Sequence, residues 1–179
     1  MPNPSDPSDA DKFAGYLAER RDLKRIERSN AGKVLRRFAK QVLPMGYHRR
    51  STFFAREAGH LIQFLHIHKF SFGPHFRMHV CIRVLNDPRH HPVLSGITNG
   101  ALKLSFEDND ASLAECAKDL TSVVSEFAEP WFLRWTEQAL LLPDSPITKD
   151  AKDALIQALE GNTDPANAHE SRMLLGLAR

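Results

Sequence analysis

The stretch His66-Ile67-His68-Lys69-Phe70-Ser71-Phe72-Gly73-Pro74-His75-Phe76-Arg77-Met78-His79, HIHKFSFGPHFRMH, places four histidines within fourteen residues around a glycine-proline turn. Downstream of the turn, Phe76, Met78, Val80, Ile82 and Val84 alternate with Arg77, His79, Cys81 and Arg83. Alternation with period two is the mark of a strand with one buried face. Pairing residues 60–69 with 76–85 through a two-residue loop at Phe72-Gly73 sets His66 opposite His79 and His68 opposite Arg77. Leu65 then faces Val80, and Ile67 faces Met78. A slip of one residue would mix polar and apolar faces, so the pattern selects this register.

A further strand pattern precedes the hairpin over about Arg50 to Glu57, RRSTFFARE, with a turn at Ala58-Gly59. That turn places Ser51 beside His66 and Arg49 beside His68. One sheet face is therefore expected to gather Arg49, Ser51, His66, His68, Arg77 and His79, with Phe53, Phe64 and Cys81 at its other end. A fourth strand is expected over Ala101 to Glu107, ALKLSFE, after a turn-rich loop, NDPRHHPVLSGITNG.

Helical patterns flank the sheet. Ala10 to Arg28 sets Phe13, Tyr16, Leu17, Leu23 and Ile26 on one stripe, with Arg20, Arg21, Lys24, Arg25 and Arg28 on a basic outer face. Ser29 or Asn30 is placed to cap a second helix, Ala31 to Leu43, stopped by Pro44 and Gly46. Asp110 is expected to cap a long helix running to Glu129, ended by Pro130, with Leu113, Ala117, Leu120, Val124 and Phe127 buried. Trp131 and Trp135 follow in WFLRW, as a lid on the core or as hot-spot aromatics for a partner. Two more helices are expected over Thr148 to Leu159 and Pro165 to Leu177.

The expected fold is α+β: an antiparallel sheet of about four strands packed on one face by helices, with additional N- and C-terminal helices. Its Val80/Ile82/Phe106 face should meet the helices carrying Phe38 and Leu120. At 179 residues the chain is sized for one domain, residues 10–179, preceded by a disordered proline-rich tail over residues 1–9. Its 42% hydrophobic content contains no apolar run near the roughly 20 residues that span a bilayer. The polar, acidic start, MPNPSDPSDADK, lacks the pattern of a secretory signal, so the expected compartment is the cytoplasm. Cys81 and Cys116 have no disulfide or metal spacing and read as small buried hydrophobes.

Net charge is +2, yet it is unevenly laid out. Residues 11–56 carry 13 Lys/Arg against 4 Asp/Glu, and residues 107–164 carry 4 against 13. Opposite charges on neighbouring helices can neutralise each other within the fold, and they can also meet a charged partner.

The histidine face admits three chemistries. His66, His68 and His79 could hold zinc with one open position, as in a metal-dependent hydrolase. The neighbouring Arg49 and Arg77 oppose a cation there, and the strands offer no carboxylate behind the ligands. Acid-base catalysis lacks a nucleophile with a base and an orienting carboxylate. A cationic recognition face, or a plain wet sheet face, needs neither. The sequence has no phosphate-binding glycine loop, dinucleotide fingerprint, zinc-finger spacing or aromatic ribonucleoprotein motif.

VLPMGYHRRSTFFARE, FLHIHKFSFG, FRMHVCI, LSFE and EPWFLRW together resemble the bacterial domain-of-unknown-function family numbered 4304, over roughly residues 30–136. In that family the two central strands carry amides where His66, His68 and His79 stand here. The resemblance therefore implies a polar strand face as a shared trait, with the histidines as a departure that weakens any family-wide metal site. It implies an α+β domain and no known reaction. By analogy with the habits of small bacterial domains, the expected function is a non-catalytic protein-binding module, such as an immunity protein that neutralises a toxin by occlusion. It would use the Arg/His sheet face or the acidic C-terminal helices. Nucleic-acid binding through Arg20, Arg21, Lys24, Arg25 and Arg28 is the further alternative.

Overall fold

In a computed structural model describing residues 9–98 and 104–178, the chain begins with helix α1, Asp9–Val42, which is unbroken for 34 residues. Of the expected disordered tail, only Asp9 falls within the described residues, as the first residue of α1. The expected break at Ser29/Asn30 does not occur. Asn30 is buried, donating from Nδ2 to Asp108 at 2.5 Å while its Oδ1 accepts from Lys33 at 3.0 Å. An amide engaged sideways in this way is not available to cap a helix start, so the backbone ladder runs through it.

The two halves of α1 have different surroundings. Ala31, Val34, Leu35, Phe38 and Val42 are buried, whereas Phe13, Tyr16, Leu17, Leu23 and Ile26 of the expected core stripe are exposed. The first half therefore extends beyond the packed body. A 3-10 turn, Leu43–Met45, containing Pro44 ends the helix at Gly46, whose φ of 88° is left-handed.

The sheet runs β1 (His48–Arg50), β2 (Phe53–Ala58), β3 (Leu61–Lys69), β4 (His75–Val84) and β5 (Ile97–Thr98), in sequence order and antiparallel throughout. A short β6, Leu104–Ser105, pairs with β4 further along the same edge, with Phe76 opposite Leu104. The first part of the expected fourth strand, residues 101–103, lies outside the described residues. Strand β5 comes from the stretch read as loop. It lies so close to β4 that a Cβ on Gly96 would stand 1.6 Å from the Val80 carbonyl oxygen, which is why glycine leads into it.

On the carboxyl side, α2 (Asp110–Val123) is capped by Asn109, one residue before the expected cap, whose side chain accepts from the Ser112 N–H at 2.8 Å. Asp110 instead pairs with Arg37 at 2.5 Å. Pro130 does not end the helix. A π-helical turn, Val124–Ala128, widens the ladder so that Glu129 N–H donates to Val124 O, and α3, Glu129–Arg134, continues with the proline in its first turn. A proline has no N–H to give and its ring crowds the preceding turn; widening that turn accommodates both. Then follow α4 (Glu137–Leu140), α5 (Lys149–Leu159) and α6 (Pro165–Leu175), the last two capped by Thr148 and Asp164.

The main core lies between the inner sheet face and the helices, joining Phe38, Leu65, Ile67, Met78, Val80, Ile82, Phe106, Leu120 and Leu155. Trp135 is 7% exposed within it, and Trp131 packs half-buried against it. Trp135 therefore belongs to the core, while Trp131 keeps a face outside it. A second, smaller cluster on the outer face sets Ala55, Ile62, Phe64, Cys81 and Leu85 under Ala168 and Leu175 of α6. Helix α6 thus covers one half of the outer face and stops. Opposite charges also meet within the fold, through Arg37–Asp110 and Arg56–Glu129 at 2.7 Å. Among the described residues no helix is long and apolar enough to cross a membrane.

Candidate functional site

The central hairpin has the register that alternation demands: His66 opposite His79, His68 opposite Arg77, Leu65 opposite Val80 and Ile67 opposite Met78. These four polar residues share the outer face, beyond the edge of α6. His66 and His79 are half-buried, while His68 and Arg77 are exposed. The neighbouring strand differs in detail. Phe53, not Ser51, stands opposite His66, because the β2–β3 turn sits at Gly59-His60, and the sum of paired positions shifts by two without changing faces. Ser51, with φ of 55°, turns the chain from β1 into β2, so that His48, Arg49 and Arg50 pair with Ala55, Phe54 and Phe53.

That hairpin moves Arg49 off the site. Paired with Phe54, it lies on the inner side, its guanidinium 5.8 Å from the Phe54 ring centroid. Burial and the nearby Arg36 both depress its pKa. Of the six residues expected on one face, His66, His68, Arg77 and His79 come together; Arg49 and Ser51 do not. Two aromatics complete the group: Phe53, expected at the other end of this face, and Phe70, not expected on it. The Phe53 and His66 rings stack at 4.7 Å, His66 and His79 at 5.6 Å, and Phe70 supports both His68, edge-on at 5.3 Å, and the Arg77 guanidinium at 4.9 Å. The spacing 66, 68, 70, which carries the alternation one residue past the end of β3, was the signal for Phe70.

The electrostatics are those of a cation-poor stack beside a permanent charge. Burial lowers the pKa of His66, helped by His79 and His68, and burial lowers that of His79, helped by Arg77 and His68. Among the described residues none of these imidazoles has a carboxylate hydrogen-bond partner, and no group of three metal-ligating side chains has the geometry to hold an ion. Arg77, opposite His68, sets a permanent positive charge beside these rings and opposes a cation there. What the group can do is present flat π-surfaces, a guanidinium and imidazole nitrogens as hydrogen-bonding groups.

The pKa directions carry a pH dependence. Both histidines bind protons more weakly folded than unfolded, so stability rises with pH below the ordinary value of 6.5 and is lost as pH falls through that window. Thermal melts should show the wild-type chain losing more stability between pH 7 and pH 5 than a His66→Asn/His79→Asn variant. Equal losses would mean that the stack is not titrating as the burial requires.

No family model matches this chain, and neither curated proteins nor solved structures give a match.

Proposed function

We propose that the chain is a non-catalytic protein-binding module, working in the cytoplasm in the manner of an immunity protein that neutralises a bacterial toxin by occlusion. The observation that carries this reading is the uncovered half of the outer sheet face, where Phe53, His66, His68, Phe70, Arg77 and His79 form one stacked group next to the half closed by α6. Aromatics and arginine dominate the energetics of protein contacts because they bury large areas and retain directional bonds. The rings are held by their neighbours before any partner arrives, so little side-chain entropy is lost on docking. Chemistry is not required of them. Trp135, closed into the core, offers no surface to a partner.

Co-expression with toxin domains encoded beside this chain tests the reading. Relief of growth arrest and a one-to-one complex are expected, both lost in a His68→Glu/Arg77→Glu variant that keeps the native melting profile. Relief that survives this variant, or that needs bound zinc, would contradict it.

A further inference from the structure

A second surface lies between α1 and the tip of the hairpin, and Phe70 borders both surfaces. Two open cavities of about 280 and 300 Å³ run between α1 and the β3–β4 tip, sharing Lys24, Glu27 and Ser71 and so forming one continuous groove. Arg20, Lys24 and Arg28 line its helical wall at i, i+4 and i+8, one turn apart, or about 6 Å of rise per step. The opposite wall is the hairpin tip, where Phe72 is 89% exposed. We infer that this groove is a binding site for single-stranded nucleic acid.

The charge balance favours a polyanion. Glu27 is engaged by Lys69 at 3.4 Å, and Asp22 by Arg25 at 3.3 Å, outside the groove wall. Among the described residues, Arg20, Lys24 and Arg28 have no carboxylate partner. Three like charges at successive turns repel one another, and phosphates laid along them relieve that repulsion. Aromatic surface favours bases over carboxylates. Exposed Phe72 offers a ring on one side, and Tyr16, itself 53% exposed, carries the Arg20 guanidinium 5.6 Å from its ring centroid one turn further out. Cations that track a backbone beside rings on which bases stack are the elements of single-strand recognition, and an open groove accepts a chain passing through it. A duplex has its bases stacked inside and cannot use Phe72.

The test is fluorescence anisotropy of the full chain with labelled 12-nucleotide oligo(U) and oligo(dT), against a duplex of the same length. Single strands should bind in 50 mM salt and weaken about 20-fold by 200 mM, the loss expected for three neutralised phosphates. The exposed-residue variant Arg20→Gln/Lys24→Gln/Arg28→Gln should flatten the salt dependence, and Phe72→Ala should weaken binding about tenfold. A His79→Asn change on the outer face should leave binding unaltered, which separates this site from the protein-binding surface. No binding in 50 mM salt, unchanged binding by the triple variant, equal affinity for duplex, or equal competition by oligo-glutamate would each overturn the inference. The last would assign the groove to an acidic protein segment.

Discussion

Replacing Arg83 with alanine should destabilise the chain by about 3–5 kcal/mol, because this guanidinium is buried and every side of it is committed. Nε donates to Ser171 Oγ at 2.8 Å, and the terminal nitrogens donate to the carbonyls of His91, Asp87 and Arg89 at 3.0, 3.0 and 2.6 Å. Ser171 in turn donates to Leu85 O at 2.9 Å. One side chain thus ties β4, the segment after it and α6 together. Its loss strands several buried acceptors and leaves Asp87 to Arg89 alone, a contact of 2.5 Å. Burial disfavours the charged form of Arg83 while Asp87 supports it, so the charge is tolerated only through these partners. The melting temperature should drop by about 10 °C. Because α6 is what covers Cys81, thiol labelling of Cys81 should become measurable before global unfolding. An unchanged melt with Cys81 still protected would show that α6 is held by its apolar contacts alone.

Phe38→Ala should cost about 3–5 kcal/mol, whereas Leu23→Ala in the same helix should stay within about 0.5 kcal/mol. Phe38 is fully buried and meets the Phe54 ring edge-on at 4.6 Å, so truncation leaves a cavity walled by a rigid sheet. Leu23 is 56% exposed. Chemical denaturation of the two variants reads the difference directly. Comparable losses would mean that the first half of α1 packs as tightly as the second, and the groove beside it would not stand open.

The hairpin was legible in the sequence because five apolar residues alternate without interruption from Phe76 to Val84, and only one register keeps them on one face. The β2 register was legible in parity but not in position. A turn at Ala58-Gly59 and a turn at Gly59-His60 use the same glycine, and only the three-dimensional closure, where Glu137 accepts from the His60 N–H at 2.7 Å, distinguishes them. Arg49 was lost to the site for a different reason: Ser51 adopts a left-handed conformation that its residue type does not announce, and β1 folds back behind it. In α1, periodicity reported an apolar stripe correctly without reporting how far the body reaches beneath it. Asn30 and Pro130 have the residue types of boundaries, yet a sideways hydrogen bond and a π-turn remove their effect. The first depends on Asp108, 78 residues away, and the second on a widened turn that no residue type announces.

The central claim is that the outer face recognises and does not react, and metal content tests it most directly. Elemental analysis should be made on tag-free protein prepared without chelator, beside a His66→Asn/His68→Asn/His79→Asn variant. The account predicts no stoichiometric zinc in either protein, since the Arg77 guanidinium stands opposite His68 and opposes a cation beside these rings. About one zinc per chain, absent from the variant, would contradict it and make the hairpin the ligand set of a metalloenzyme.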